Sequence, residues 1–226
     1  MKHQVLITGA NRGIGLEFTK QYAADGWRVI ACCRHPQKAT ELQALAATHS
    51  NINIVGLDVG DFAQIDALAA QLKAETIDVL INNAGIYAHN DNSETDWAQS
   101  FKINAMAPLK VAQAFKHHIA NSQLKKLATL SSKMGSMQDN TSGGSYIYRS
   151  SKTAVNMVMK SLSVDLKPAG ISVVTLHPGW VQTDMGGSNA LIDTPTSVSG
   201  LRKVIEYLDL DNTGKFIAYD GKEIAW

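Results

Sequence analysis

The chain has 226 residues, of which 45% are hydrophobic and 18% are charged, so it can bury a large core and is not intrinsically disordered. Its 21 basic and 20 acidic residues give a net charge of +1. No basic cluster exceeds the pair at 125–126, which argues against a nucleic-acid-binding protein.

The two cysteines, Cys32 and Cys33, are adjacent, and neighbours in an extended segment point to opposite faces. They therefore favour neither a disulfide nor a metal site. No apolar run reaches the roughly 18 residues of a membrane span, and the one near the N-terminus is too short for a signal peptide. We expect a cytoplasmic protein with no metal and no membrane partner.

Short apolar runs alternate along the chain with longer amphipathic stretches. The runs predict strands at residues 5–7, 27–33, 52–57, 77–81, 127–131, 171–176 and 216–219. The stretches predict helices at about 14–26, 36–47, 61–72, 97–119, 148–166 and 201–208, with Pro108 kinking or dividing the fourth. Gly, Ser, Asn, Thr and Pro are frequent from Gly186 to Ser199, which predicts a loop. This order predicts one α/β domain over residues 1–226, a doubly wound, mainly parallel sheet flanked by helices.

A glycine-rich turn joins the first predicted strand to the first helix. Glycines at this point let the backbone approach a pyrophosphate, which then lies at the helix N-terminus. The spacing Gly-x-x-x-Gly-x-Gly departs from the commoner Gly-x-Gly-x-x-Gly, so a turn that merely joins two elements is the alternative. The candidate cofactor-binding residues in the turn are Thr8, Gly9, Asn11, Arg12, Gly13, Ile14 and Gly15.

The end of the second strand discriminates between dinucleotides. An NAD site usually has an acid there for the ribose 2′-hydroxyl, whereas this chain has Arg34 after Cys33. A guanidinium offers a fork of donors to a 2′-phosphate, and Arg12 can reach the same region. These two cations favour NADP(H) over NAD(H); unpartnered surface arginines are the alternative.

Two further strand ends supply candidate cofactor contacts. Asp58, followed by Val59, could accept a hydrogen bond from an adenine amino group or could instead cap the next helix. Asn83, Ala84 and Gly85 follow the fourth strand, where small residues permit close approach of a ligand to the backbone.

Tyr148 and Lys152 are four residues apart at the start of a predicted helix and therefore share one face. A tyrosine with a pKa of about 10 is a poor acid or base at neutral pH. An ammonium group beside it stabilises the phenolate and lowers this pKa, as general acid–base catalysis requires. A Tyr-x-x-x-Lys pair is weak evidence alone, because helices contain such pairs by chance.

Several motifs follow one another in the order found in one known family: the turn at 8–15, the Asn-Asn-Ala-Gly sequence at 82–85, Asn104, Ser132, and the pair of Tyr148 and Lys152. With these motifs the chain resembles the short-chain dehydrogenase/reductase family over its whole length. The segment after the sixth strand, including Pro178, Gly179, Val181 and Thr183, extends the match. The tail of the chain resembles the carbonyl reductase branch typified by sniffer and C-factor proteins. The resemblance implies a Rossmann fold and an NADP-dependent oxidoreductase acting on an aldehyde, ketone or quinone, or on the corresponding alcohol.

The resemblance also implies residue roles. Tyr148 would donate the proton to the carbonyl oxygen, and Lys152 would hold the nicotinamide ribose and lower the pKa of Tyr148. Ser132 would bind the substrate oxygen, with neighbouring Ser131 as the competing choice. Asn104 would hold a water for proton relay. The remaining implied contacts are with the cofactor and involve Asn83, Gly85 and, at the nicotinamide amide, Thr183.

Several expectations concern the surroundings of the site. The gap between Ser132 and Tyr148 is slightly longer than usual in the family, which indicates an enlarged polar loop beside the substrate pocket. The segment at about 184–199 is a candidate lid over the substrate. The family often pairs through its long helices, here 97–119 and 148–166, as a homodimer or homotetramer. A cofactor-binding signalling or regulatory protein on the same fold is the alternative function.

Overall fold

The computed structural model describes residues 2–88 and 93–226. Seven strands form one sheet in the order β3-β2-β1-β4-β5-β6-β7, and every neighbouring pair is parallel. The strands are β1 (Gln4–Thr8), β2 (Arg28–Cys33), β3 (Ile52–Gly56), β4 (Val79–Asn82), β5 (Lys126–Leu130), β6 (Ser172–His177) and β7 (Lys215–Ala218). The strand order reverses between β1 and β4, and this switch point opens the crevice where such sheets bind ligands. The predicted doubly wound Rossmann-type sheet is confirmed.

Helices cover both faces of this sheet. They are α1 (Gly13–Ala24), α2 (Thr40–Thr48), α3 (Phe62–Gln71), α4 (Glu94–Phe101), α5 (Ala107–Ala114), α6 (Lys116–Ala120), α7 (Tyr146–Leu166) and α8 (Thr194–Glu206). Successive residues of β1 alternate between two buried clusters: Leu6 packs with α3, α5 and α7, while Val5 and Ile7 pack with α1, α2 and α8. This double burial explains why the strands are continuous apolar runs.

The helical stretch predicted at 97–119 is divided. A wide turn of π-helical form, Lys102–Met106, connects α4 to α5, and Phe115 lies at the break between α5 and α6. Pro108 lies in the first turn of α5, directly after this wide turn. The backbone stays helical through the wide turn into α5, so a division at Pro108 is wrong: the break lies at Phe115, and the wide turn was not predicted.

The loop predicted at 186–199 is wrong in its second half, because α8 begins at Thr194. The side chain of Asp193 accepts a hydrogen bond from the Thr196 N–H at 2.8 Å, and Pro195 occupies the first turn. An aspartate cap followed by proline is a helix-start signal, which the abundance of polar and small residues obscured. Helix α7 also begins two residues earlier than predicted, at Tyr146.

Candidate active site

The glycine turn is bound tightly to the end of β4. The Thr8 hydroxyl accepts hydrogen bonds from the N–H groups of Asn83 and Ala84, at 3.0 and 3.1 Å. The Asn83 amide in turn donates to the carbonyl oxygens of Thr8 and Gly9, at 2.9 and 3.0 Å. A Cβ on Gly15 would overlap with the carbonyl oxygen of Gly9, so only glycine fits there. Asn83 therefore fixes the shape of the turn.

The N-terminus of α1 fits the phosphates of a dinucleotide. Gly9 and Gly13 have left-handed φ angles of +66° and +52°, which turn the chain into the helix. The first turn, with Ile14, contains no acidic residue, and the side chain of Arg12 at the N-cap makes no capping hydrogen bond. A helix start of this kind favours a bound anion. Asn11 is the residue immediately before this cap and lies in the same turn.

The two predicted phosphate-binding cations lie in different surroundings. Arg34 is exposed directly after β2 and makes no ion pair within the described residues. Arg12 is ion-paired to Asp184, with 2.7 Å between Nη1 and Oδ2. This pair joins the glycine turn to the segment after β6 across the mouth of the crevice.

The structure decides between the two roles predicted for Asp58. Asp61, and not Asp58, caps α3 by accepting from the N–H groups of Ala63 and Gln64. The Asp58 carboxylate accepts from the Gly60 N–H at 2.8 Å, while Val59 is buried in the core. The prediction that Asp58 caps α3 is therefore wrong, and its carboxylate lies just beyond the end of β3.

Asn104 lies in the wide turn between α4 and α5 and is buried. Its side-chain amide makes two hydrogen bonds with the backbone of Ile86, both of 2.9 Å, and donates to the Ser151 hydroxyl at 3.0 Å. A Cβ on Gly85 would lie 3.3 Å from Asn104 Oδ1 and 3.5 Å from Lys152 Nζ. Gly85, Asn104 and Lys152 thus converge at the end of β4.

The first two turns of α7 carry Tyr148 and Lys152, both buried. Lys152 Nζ lies 5.7 Å from the centre of the Tyr148 ring and donates to the carbonyl oxygen of Leu130 at 3.0 Å. The helical spacing therefore places the ammonium group beneath the tyrosine, as predicted, while β5 holds its other side.

The serine beside Tyr148 is Ser132. The Ser131 hydroxyl is buried and donates to Asn156 Oδ1 at 2.6 Å, which ties it into the interior. The Ser132 hydroxyl accepts from the Met134 N–H at 3.2 Å and interacts with the Tyr148 hydroxyl. Of the two candidate serines, the structure brings Ser132 to the tyrosine.

Burial controls the charge states at this site. It raises the pKa of Tyr148 to about 12; the interaction with Ser132 lowers this pKa, and the nearby Tyr87 raises it. Burial also lowers the pKa of Lys152 to about 8. The expected net lowering of the tyrosine pKa is wrong, because burial outweighs the interactions that lower it; the Lys152 ammonium group is itself desolvated and donates to the Leu130 carbonyl oxygen. Tyr148 is therefore protonated at neutral pH.

The segment after β6 lies over the glycine turn. Thr183 faces Gly13, since a Cβ on that glycine would lie 3.2 Å from the Thr183 methyl group. Gly179 has a φ of +86°, and the carbonyl oxygen of Pro178 accepts from the Ser197 hydroxyl at 2.6 Å. Val181 is buried and pairs with Ile192. Of the predicted residues of this segment, Thr183 thus lies against the turn, while Pro178, Gly179 and Val181 pack against later parts of the chain.

Side-chain hydrogen bonds hold the first part of the candidate lid to the residues that precede it. The Trp180 indole N–H donates to the carbonyl oxygen of Gly186 at 2.8 Å, and the Gln182 amide donates to that of Ala190 at 3.1 Å. The Gln182 N–H also donates to the Ile192 carbonyl oxygen. Residues 180–192 are therefore a compact, internally bonded loop.

Tyr87 and His177 were not predicted as parts of the site. The rings of Tyr87 and Tyr148 are 4.7 Å apart between centroids. His177, at the end of β6, accepts from the Lys133 N–H through Nδ1 at 3.1 Å, next to Ser132. An aromatic residue just beyond the Asn-Asn-Ala-Gly sequence was the available signal for Tyr87; only the fold brings His177 to the serine.

A separate groove of about 940 Å³ lies between α8 and β7 and is lined in part by Val204, Tyr207 and Ile217. It contains none of the predicted site residues. Within the described part of the chain, no cluster of histidine, cysteine or carboxylate side chains could hold a metal, and no helix is long and apolar enough to cross a bilayer.

Known proteins resemble this chain in both sequence and fold. A family model for short chain dehydrogenase matches residues 3–191. C-signal of Myxococcus xanthus is 44% identical over 164 residues, which are 71% of this chain and 99% of that protein. The NADPH-bound carbonyl reductase from chicken fatty liver is 38% identical with a TM-score of 0.93, and the carbonyl reductase Sniffer of D. melanogaster is 37% identical with a TM-score of 0.91; both matches cover all of each chain. Together with the glycine turn and the tyrosine–lysine pair, these matches establish that the chain belongs to the short-chain dehydrogenase/reductase family.

Proposed function

We propose that this member of the family is an NADP-dependent carbonyl reductase that converts an aldehyde, ketone or quinone to the corresponding alcohol. The observation that carries the proposal is the buried group of Ser132, Tyr148 and Lys152 at the end of the cofactor crevice. The solved relatives support the same reaction, since they are named as carbonyl reductases and one holds NADPH.

The crevice fits NADP(H). The α1 N-terminus is free of acidic side chains and suits the pyrophosphate, and Arg34 is available at the end of β2 for a 2′-phosphate. Asn83 and Gly85 line the path to the catalytic residues, and Thr183 faces it from the other side, where it would contact the nicotinamide amide. When bound, the dinucleotide supplies or accepts the hydride.

The remaining chemistry belongs to the protein. We assign Ser132 to donate a hydrogen bond to the substrate carbonyl oxygen, which stabilises the negative charge that develops there. Tyr148, protonated because its pKa is raised to about 12, transfers its proton to that oxygen as the alcohol forms. Lys152 stabilises the resulting phenolate through its positive charge. Asn104 holds the Ile86 backbone and Ser151 around this group.

The first prediction removes the proton donor. In Tyr148→Phe the turnover of carbonyl compounds should fall by at least about 100-fold, the lower range for a general acid. Binding of NADPH, measured by fluorescence titration, should be unchanged because the ring remains.

The matched control is Tyr146→Phe, on the first residue of α7, where the side chain is 65% exposed. It should turn over like the wild type in a screen of aldehydes, ketones and quinones that follows NADPH oxidation. Undiminished turnover by Tyr148→Phe would refute the mechanism.

A second candidate function is signalling, because the chain is 44% identical to a protein named C-signal. A protein that only senses a dinucleotide needs no proton donor, whereas Tyr148 and Ser132 are both retained beside each other here. If wild-type protein binds NADPH but reduces none of the screened carbonyl compounds, the signalling role is favoured over the reductase.

A further inference from the structure

Tyr87 connects two parts of the site that are otherwise separate. Its segment follows β4 and is held by Asn104, which hydrogen-bonds the backbone of Ile86. Its ring packs against the Tyr148 ring at 4.7 Å between centroids and an angle of 45°. Its hydroxyl lies 2.9 Å from the Ser145 hydroxyl, within hydrogen-bond distance. One side chain thus touches both the proton donor and the residue where α7 begins.

The start of α7 needs such support. Three consecutive residues, Gly143, Gly144 and Ser145, have left-handed φ angles of +67°, +65° and +49°. For serine this conformation is unfavourable. Ser145 is the N-cap of α7, yet its side chain makes no capping hydrogen bond and instead faces Tyr87. The catalytic tyrosine therefore follows, within one turn, a strained and uncapped helix start.

A second anchor holds the same turn from the opposite direction. The Arg149 guanidinium donates to the carbonyl oxygens of Gly143 and Gly144, at 3.2 and 3.1 Å, and to the Ser142 hydroxyl at 2.8 Å. Arg149 belongs to α7 itself, so these bonds fold the turn onto its own helix. Tyr87 instead attaches the helix start to the segment after β4, on the cofactor side of the crevice.

We propose that Tyr87 is a positioning residue of the active site: its hydroxyl fixes Ser145 and its ring supports the ring of Tyr148, so that the Tyr148 hydroxyl stays directed at Ser132. This inference rests on the proposed reductase function and assigns to Tyr87 a role that acts through Tyr148. The Tyr87 side chain thereby connects the end of β4, which contacts the cofactor in the proposed function, to the proton donor Tyr148.

The test is a double-mutant cycle of Tyr87→Phe and Ser145→Ala, with Tyr146→Phe as control. Loss of the hydroxyl pair should lower kcat about threefold to tenfold, the range for one hydrogen bond, while the Kd for NADPH stays unchanged. Because both substitutions break the same bond, the double variant should be no slower than the slower single variant. Additive losses would overturn the proposal.

A pH profile distinguishes positioning from general structural damage. Burial is the largest cause of the raised pKa of Tyr148, and the electrostatic effect of Tyr87 adds to it, so Tyr87→Phe should lower that pKa. Alcohol oxidation requires the phenolate, and its rising limb should therefore move to lower pH in Tyr87→Phe. An unmoved profile together with wild-type kcat would contradict the proposal.

Hydrogen exchange separates failure of this inference from failure of the reductase function. The backbone amides of residues 149–152, the first that can donate to carbonyl oxygens at the start of α7, should exchange faster in Tyr87→Phe and in Ser145→Ala than in the wild type, whether or not a carbonyl substrate is turned over. Unchanged exchange in both variants would overturn the Tyr87–Ser145 link. Wild-type protein that reduces no carbonyl compound, but shows the faster exchange in the variants, would instead refute only the proposed reaction.

Discussion

Arg34 is the residue on which the choice between the two dinucleotides depends. It is exposed and without an ion pair among the described residues, whereas Arg12 is engaged by Asp184. In Arg34→Asp the KM for NADPH should rise at least about tenfold, since a charge-assisted pair with phosphate is lost and a repulsion added. The KM for NADH should change little.

The control for this substitution is Lys116→Asp, which makes the same charge change at an exposed position on α6. Steady-state kinetics with both dinucleotides compares the variants. Equal increases in the KM values for NADPH and NADH in Arg34→Asp would contradict the 2′-phosphate assignment.

His177 gives the protein a pH-dependent stability. Burial, with the nearby positive charge of Lys133, lowers its pKa from 6.5 to about 4, while Asp139 and Asp220 oppose the shift. The unfolded chain binds this proton more readily than the folded one. Stability is therefore full above pH 6.5 and falls towards pH 4, by up to about 1.4 kcal/mol per pH unit from this group.

Replacing the imidazole removes that dependence. In His177→Asn an amide oxygen can still accept from the Lys133 N–H, but nothing titrates at this position. Urea unfolding at pH 5 and pH 7.5 should show a smaller difference between the two free energies of unfolding than in the wild type. An equal difference in both proteins would show that another group is responsible.

At the residue scale, the sequence predicted those site residues that lie on the same helix at a fixed spacing. Tyr148 and Lys152 share a helix face because they are four residues apart, and the helix brings them together as expected. Tyr87 and His177 reach the site only through the packing of distant segments. The tyrosine pKa was mispredicted because burial, which a sequence does not show, outweighs the charge of Lys152.

At the element scale, the glycine turn is the most constrained connection. A Cβ on Gly15 would overlap Gly9 and approach the Asn83 amide, so Gly15→Ala must displace the turn. Overpacking of this kind should lower the free energy of unfolding by about 1–3 kcal/mol and weaken NADPH binding. Denaturant titration and cofactor titration measure the two effects.

Gly26→Ala is the matched control. Gly26, unlike Gly15, has a left-handed φ of +78°, and a Cβ there meets nothing within 4 Å. It should cost about 1–2 kcal/mol of backbone strain and leave NADPH binding unchanged. Equal NADPH affinities of the Gly15 and Gly26 variants would show that the turn does not shape the binding site.

Elements were predictable where composition and periodicity agree. The inner strands are apolar on both faces and produced clear runs, and the sheet followed from the alternation of strands with helices. The wide turn at Lys102–Met106 gave no periodic signal, because it interrupts an otherwise helical pattern. The start of α8 was hidden in a segment of polar and small residues despite the cap at Asp193.

At the scale of the whole molecule, one face of α7 exposes large apolar side chains. Met157 and Val164 are each 65% exposed and lie seven residues apart, hence on the same side of the helix. Met106, in the adjoining wide turn, is 52% exposed. We expect the chain to pair through this apolar face, in agreement with the pairing through long helices that the family resemblance implies.

Light scattering after size-exclusion chromatography tests this expectation. The wild type should have the mass of at least two chains, and the double substitution Met157→Glu, Val164→Glu should have the mass of one because buried unpaired charges are costly. The matched change Tyr207→Glu, at an exposed position beyond α8, should leave the mass unaltered. A wild-type protein with the mass of a single chain would refute the pairing.

The strand order also bears on synthesis by the ribosome. Strands β1 to β4 emerge first and pair among themselves, after which β5, β6 and β7 each join the edge left by the strand before. No later strand has to insert between two that are already paired. The glycine turn and Asn83 can therefore fix each other before Tyr148 and Lys152 are translated. A nascent chain stalled after β4 would already contain the parts of the dinucleotide site contributed by the glycine turn and Asn83, and it would lack every group assigned to proton transfer.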